Sequence, residues 1–173
     1  MTDLLLSDAV PSFRAGDVLA FSGTGLISDL VKLATGSHIS HVGLVLGDGL
    51  MIESTSLNGF TGVTESPVAA RLLEYEGRIW WYPLRPQYFL RCHAYIRQVC
   101  SKLVGEPYDT WGALEAAFQI HHEQHQDVEF CSELAAQVLR DLDVLPASVE
   151  PDLVLPCGLL NFDIFSTNFE IIR

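Results

Sequence analysis

The sequence predicts an α+β fold in which an antiparallel β-sheet, or a partial barrel, packs against helices. Short apolar and β-branched runs bounded by Gly, Asp, Ser and Pro fill the first part of the chain, and segments with helical periodicity follow from Pro86. Strands that precede helices, instead of alternating with them, are typical of this class. Because the chain has 173 residues and 49% of them are hydrophobic, we expect a single domain, residues 1–173, with a substantial core.

Four runs are predicted to be strands: DVLAF, HVGLVL, LMIEST and RIWWYPL. Between the first two, GLISDLVKLATG carries apolar residues at helical spacing, and Gly36 ends this helix. After Pro86, the segment QYFLRCHAYIRQVCSKLVG repeats apolar residues on one helical face and ends at Gly105. Two further helices are expected at residues 110–121 and 130–142.

The tail LPASVEPDLVLPCGLLNFDIF is rich in proline and in large apolar side chains. Such side chains are costly to leave in water, so we expect an ordered loop that closes over the domain. Loops at residues 57–67 and 145–165 are expected to surround a cleft and to set specificity.

Charge and targeting patterns exclude several functional classes. Lys and Arg number 10 against 22 Asp and Glu, and the formal net charge of −12 repels phosphate backbones and anionic membranes. We therefore expect no nucleic-acid partner.

The N-terminal segment lacks the basic and apolar regions of a signal peptide, and no apolar run is long enough to span a bilayer. These patterns favour a cytoplasmic protein without membrane insertion.

The four cysteines have no CxxC spacing, so free thiols are expected instead of a disulfide framework or a zinc knuckle. A histidine-rich segment, IHHEQHQDVE, places His121 and His125 four residues apart. It is not an HExxH motif, because His122 and His125 are only three residues apart, and a polar surface turn explains it without a metal. We expect no metal site and no cofactor.

The stretch SHISHVGLVLGDGLMIEST combines histidines with a carboxylate inside an apolar run. If the Gly-Asp-Gly segment after Leu46 is a three-residue hairpin loop, Gly43 lies opposite Glu53 and His41 is the diagonal neighbour of Glu53 on the same face. A two-residue loop would turn Glu53 to the opposite face. In the first register the carboxylate can reach the imidazole; His38 is expected in a loop.

A carboxylate held against an imidazole fixes its tautomer and raises its basicity, as a general base for a nearby nucleophile requires. Cys131 is the candidate nucleophile, since it lies in the first turn of a predicted helix, where the backbone dipole and free N–H groups favour a thiolate. Cys92 and Cys100 fall on an apolar stripe, and Cys157 lies in a loop.

Structural interpretations of the same residues remain open. Cys131 also begins an apolar stripe, and buried cysteine is commonly a small hydrophobic residue. The structural interpretation of His41 is a histidine at the end of a strand that hydrogen-bonds to a local partner. Glu53 has two arginines, Arg71 and Arg78, as alternative partners.

Five segments together resemble a known family: GDVLAF, SHISHVGLVL, MIEST, GEPYDTWG and FCSELAAQVL. They are similar to the circularly permuted branch of the NlpC/P60 papain-like superfamily, in which the histidine segment precedes the cysteine segment, and within it to the YiiX-like group. The resemblance implies a papain-like fold with Cys131 as nucleophile, His41 as base and Glu53 as the residue that orients the base. The Cys131 backbone N–H would be an oxyanion donor.

Tyr108 in GEPYDTWG matches a tyrosine that lines the active site in this superfamily, which implies a role in binding substrate or the oxyanion. The alternative for Tyr108 is a half-buried aromatic residue with its hydroxyl on a nearby carbonyl.

The resemblance implies a cysteine peptidase or amidase that acts on a small peptide, amino-acid amide or acyl substrate through an acyl-enzyme. Related permuted acyltransferases and phospholipases carry NCEHF where this chain has FCSEL, which favours amide bonds over lipid esters. A permuted lipid thioesterase or acyltransferase and a non-catalytic module that binds a small amino acid or peptide remain alternatives. Relatives with cell-wall roles carry an export signal that the N-terminal segment lacks.

Overall fold

The computed structural model describes residues 2–57, 60–105 and 131–173. Seven strands form one sheet in the order β1-β7-β6-β2-β3-β4-β5, in which β1 and β7 are parallel and all other neighbours are antiparallel. The strands are β1 (Thr2–Leu5), β2 (Val18–Gly23), β3 (His41–Gly47), β4 (Leu50–Leu57), β5 (Phe60–Pro67), β6 (Gly77–Tyr82) and β7 (Phe169–Ile172).

The described residues also form six α-helices, and the α+β class is confirmed. The helices are α1 (Leu6–Ala9), α2 (Leu26–Thr35), α3 (Val68–Glu74), α4 (Pro86–Cys100), α5 (Cys131–Asp141) and α6 (Pro156–Leu159). Short 3₁₀ turns cover Val10–Ser12 and Pro151–Leu153. None of the helices in the described ranges is long and apolar enough to cross a bilayer.

Most of the predicted elements are present. The four predicted strands correspond to β2, β3, β4 and β6, and the predicted helices before residue 106 correspond to α2 and α4. Helix α2 ends as expected, because Gly36 adopts a left-handed conformation with φ 61°. The helix predicted at 130–142 is α5, whereas the one predicted at 110–121 lies outside the described residues.

Two expectations about the fold are wrong. Strands do not all precede helices, because β7 is the last element and pairs with β1 and β6. Residues 60–67, expected as part of a cleft loop, form the edge strand β5 along the whole of β4. Half of the β5 residues are polar, which is common at a sheet edge, and Pro67 lies at the strand end, where no further ladder bond is needed.

The sheet has an apolar core on each face. Alternate residues of the central strands, such as Val42, Leu44 and Ile52, pack with α4 and α5. The residues between them, such as Phe21 and Met51, pack with α1 and α3. We call these the α5 face and the α3 face. The tail after α5 is ordered as expected, with Leu159, Ile164 and Phe165 buried on the α5 face.

The GDVLAF segment has a structural role in this arrangement. Asp17 is buried and accepts hydrogen bonds from the backbone N–H of Arg14 at 2.9 Å, the Trp81 indole N–H at 2.9 Å and the backbone N–H of Leu84 at 2.8 Å. Burial raises the pKa of Asp17 to about 6 despite these donors. Asp17 thus ties the start of β2 to the end of β6.

Candidate active site

The hairpin between β3 and β4 decides which residues share a face. Leu44 pairs with Ile52 and Val45 with Met51, which is the register expected from the sequence. The expected three-residue loop is nevertheless wrong, because Gly47 pairs with Leu50 and leaves only Asp48 and Gly49 in the turn.

A β-bulge reconciles the short turn with the expected register. The pairing shifts between Val45 and Gly47, so Leu46 is an extra residue on β3. Asp48 and Gly49 have φ of 52° and 73°, as a type I′ turn requires, and Gly47 has φ 85°. The bulge therefore offsets the one-residue difference between the two loop lengths, and Glu53 keeps the face predicted for it.

Glu53 and His41 form the hydrogen bond that the sequence predicted. His41 Nε2 lies 2.7 Å from Glu53 Oε2, and the Glu53 side chain is only 1% exposed. Gly43 leaves room for the Met51 side chain beside this pair, because a Cβ on Gly43 would lie 2.3 Å from Met51 Cε, whereas it would be in ordinary contact with Glu53 Cβ at 3.5 Å. Since Nε2 is bound to Glu53, Nδ1 is the imidazole nitrogen left for another partner.

Glu53 also pairs with an arginine, as the structural interpretation proposed. Arg71 Nε donates to Glu53 Oε1 at 2.6 Å, and an Arg71 terminal nitrogen donates to Oε2 at 3.1 Å. Arg78 instead pairs with Glu170. The two interpretations of Glu53 do not exclude each other, because the carboxylate binds both His41 and Arg71.

Cys131 is the first residue of α5, at the helix N-terminus where it was predicted. Its side chain is 6% exposed and forms a hydrogen bond with the His41 side chain. The backbone N–H groups of Val42 and Ser132 also hydrogen-bond to the Cys131 sulfur. The pairing of β3 with β4 ends at Leu44 and Ile52, so Val42 lies outside the part of β3 that pairs with β4.

The electrostatics of the three side chains favour an ion pair. Burial opposes charge on His41, but Cys131 and Glu53 outweigh it and raise the pKa of His41 to about 9. Burial also opposes a thiolate, but His41 and the two backbone donors outweigh it and hold the pKa of Cys131 below its ordinary value. His41 and Arg71 overcome burial at Glu53 and lower its pKa to about 2.

The site joins the two faces of the sheet. Glu53 and Arg71 lie on the α3 face, where the Arg71 guanidinium is 5.2 Å from the centroid of the Phe21 ring. Cys131 packs on the α5 face. His41 is the first residue of β3 and contacts both, because its neighbours are Phe21 and Glu53 on one side and Cys131 on the other.

The remaining cysteines differ from Cys131. Cys92 and Cys100 are fully buried on α4, and burial raises the pKa of Cys92 to about 11. Cys157 is half-buried in α6, which replaces the loop expected there. None of the four cysteines forms a disulfide, as the spacing predicted. His38 lies between α2 and β3, as expected, and its ring packs on Trp80 at 4.8 Å between centroids.

Two predicted features lie outside the described residues: Tyr108 and the histidine-rich segment with His121, His122 and His125. Across residues 2–57, 60–105 and 131–173, no group of three or more His, Cys, Asp or Glu side chains is arranged to hold a metal ion. The Ser132 amide is one of the free N–H groups expected at the start of the Cys131 helix, whereas the Val42 amide was not foreseen, because its position depends on the placement of β3.

Comparison with known proteins supports the fold but does not define a family. No family model matches the chain, and no curated protein matches it. Among solved structures, the chain is similar to the crystal structure of the metalloprotein yiiX from Escherichia coli O157:H7, with a TM-score of 0.61 and 16% sequence identity. The match covers 88% of this chain and 94% of that chain. The chain therefore has a YiiX-like fold.

Proposed function

We propose that this chain is a cysteine hydrolase that cleaves an amide bond in a small peptide or peptide-like substrate. The observation that carries the proposal is the hydrogen-bonded series Cys131, His41 and Glu53, with the sulfur at a helix N-terminus. A nucleophile, a base and a residue that orients the base are the three parts of this chemistry. The order of the segments along the chain supports a circularly permuted NlpC/P60-like, papain-like site.

In the proposed reaction, His41 takes the proton of the Cys131 thiol and the thiolate attacks the substrate carbonyl. His41 then gives that proton to the leaving amine as the carbon–nitrogen bond breaks, and an acyl-enzyme remains on Cys131. Water attacks the acyl-enzyme, His41 takes a proton from the water, and the thiolate leaves. Glu53 stays ionised and holds the imidazole throughout.

No step of this reaction is assigned to a metal. The yiiX protein is named a metalloprotein. In this chain, the polar atoms of the three site residues bond to one another, and no group of three His, Cys, Asp or Glu side chains in the described ranges is arranged to hold a metal ion.

Alkylation tests the nucleophile. With iodoacetamide at neutral pH, we expect rapid labelling of the peptide that contains Cys131 and loss of that label in Cys131→Ala. Cys92→Ala and Cys100→Ala should retain it, because these thiols are buried and Cys92 has a raised pKa. Cys157 is half-buried, so peptide mapping by mass spectrometry must separate its label from that of Cys131. A Cys131 peptide that labels no faster than the Cys92 peptide would contradict the proposal.

Turnover tests the reaction class. Incubation with a library of peptide amides should release amine and leave a transient acyl mass on wild-type protein but not on Cys131→Ala. Binding of the same peptides without turnover would favour the non-catalytic module.

One observation favours acyl substrates as a second candidate. Leu26 and Leu33 on α2, the helix that precedes β3, are 77% and 76% exposed. A lipid thioesterase or acyltransferase needs an apolar surface near its site. The tryptophans of β6, Trp80 and Trp81, do not add to such a surface, because both are buried. Thioesters of the same acyl groups, assayed beside the amides, separate the two candidates.

A further inference from the structure

The Arg71 side chain is held in place by its neighbours, although it does not contact the nucleophile in the proposed reaction. Its side chain is 11% exposed, and it donates to both oxygens of Glu53, at 2.6 and 3.1 Å. Such two-point contacts fix the plane of a carboxylate as well as its charge.

Two aromatic rings hold the guanidinium itself in place. The central carbon of the Arg71 guanidinium lies 5.2 Å from the centroid of the Phe21 ring and 5.0 Å from that of the Tyr75 ring. Both distances are within the range of cation–π attraction. The Phe21 ring also lies 5.5 Å from the His41 ring, so one aromatic side chain contacts both cationic partners of Glu53.

We propose that Arg71 is a positioning residue of this site, which keeps the Glu53 carboxylate ionised and directs its Oε2 towards His41. The inference rests on the proposed function and adds to it a residue on the opposite side of the sheet from the nucleophile. Arg71 lies on the α3 face and Cys131 packs on the α5 face, so the hydrogen-bonded connection from Arg71 to the thiol runs through Glu53 and His41.

Charge balance gives the direction of the effect. With Arg71 present, thiolate, imidazolium, carboxylate and guanidinium alternate in sign and sum to zero. Without Arg71 the same buried group carries one net negative charge, which favours uptake of a proton. The proton is retained on the Cys131 sulfur, while His41 stays charged beside Glu53. Removal of Arg71 therefore raises the pH at which Cys131 ionises.

The other ionisable groups near this series do not change the expectation. In the described part of the chain, Cys131 and Glu53 act electrostatically on His41, and His41 and Arg71 act on Glu53. Tyr75 lies beside Glu53 and Arg71, but its pKa is raised to about 12 by burial, so its phenol stays neutral. Glu133 lies in the first turn of α5 and is the same in every variant.

The test is the pH dependence of iodoacetamide alkylation at Cys131, read by peptide mapping, in wild type and in Arg71→Met, Arg71→Gln and Arg71→Lys. Arg71→Met and Arg71→Gln should raise the pH midpoint of Cys131 alkylation by about 1 unit. In Arg71→Lys the midpoint should lie close to the wild-type value, because lysine keeps the positive charge. Arg71→Gln keeps one donor to the carboxylate and serves if Arg71→Met does not fold. Arg78→Met is the matched control, since it removes an arginine–carboxylate pair outside the site.

The outcomes separate this inference from the proposed function. A low wild-type midpoint that does not move in Arg71→Met or Arg71→Gln would contradict the role of Arg71 and leave the nucleophile intact. A wild-type midpoint near the ordinary thiol value of 9 would contradict the proposed nucleophile itself. A change in thermal stability without a change in midpoint would make Arg71 a purely structural residue.

Discussion

Glu53 is the residue on which the site depends, because a carboxylate that is 1% exposed persists only with partners for its charge. His41 binds one oxygen, and Arg71 binds both. These partners outweigh burial and lower the pKa of Glu53 from its ordinary value of 4.5 to about 2. Orientation of the base and stability of the fold are therefore linked at one side chain.

Acid should weaken the fold through Glu53. A carboxyl whose pKa is lower in the folded protein stabilises the fold above the unfolded value and loses that contribution as pH falls through the folded value. The fall from 4.5 to about 2 corresponds to about 3 kcal/mol, lost between these two pH values. Urea unfolding of wild type and Glu53→Gln across this range measures the effect.

Glu53→Gln should be less stable than wild type at neutral pH by about 3 kcal/mol, since it leaves Arg71 as a buried cation without its counter-ion. It should also lose less stability than wild type on acidification. Glu170→Gln, which removes the carboxylate partner of the exposed Arg78, is the matched control. Parallel acid profiles for wild type and Glu53→Gln would contradict the assignment.

At the scale of elements, the β3–β4 hairpin brings base and carboxylate together through a short turn and a bulge. Gly47 has φ 85° within this bulge, a conformation that costs an L-residue about 1 kcal/mol or more. We therefore expect Gly47→Ala to lower the free energy of unfolding by about 1 kcal/mol in urea titration.

Gly158→Ala is a suitable control for this substitution. Gly158 lies in α6, and an added Cβ would meet only Leu155 Cβ at 3.9 Å. Alanine is the better helix former, so Gly158→Ala should be neutral or stabilising. If Gly47→Ala were equally harmless, the bulge would not constrain the hairpin.

The same hairpin shows how far sequence reasoning reaches. An assumed three-residue loop led to the pairing of Leu44 with Ile52 and hence to the face of Glu53, whereas a two-residue loop was expected to turn Glu53 away. The loop length was wrong because Asp48-Gly49 alone satisfies a type I′ turn, and the extra residue appears as a bulge in the strand. A bulge leaves no clear compositional mark, so the correct face was reached from an incorrect loop.

On the scale of the whole molecule, the sheet separates the site into two halves that meet at His41. The α5 face holds the nucleophile, and the α3 face holds Glu53 and Arg71. Helix α5 was predictable from its apolar stripe, whereas α3 was missed as an element, because it has only seven residues and follows the edge strand β5 directly. Arg71 could be named from the sequence only as one of two candidate partners, since its contact with Glu53 depends on the placement of α3.

The pH dependence of Cys131 alkylation in wild type and His41→Ala tests the central claim most directly, namely that His41 holds the sulfur as a thiolate. Wild type should alkylate with a midpoint well below the ordinary thiol value of 9, because His41 lowers the pKa of Cys131. In His41→Ala the imidazolium is lost and burial remains, so the midpoint should rise to about 9 or above. The same midpoint in both proteins would contradict the account.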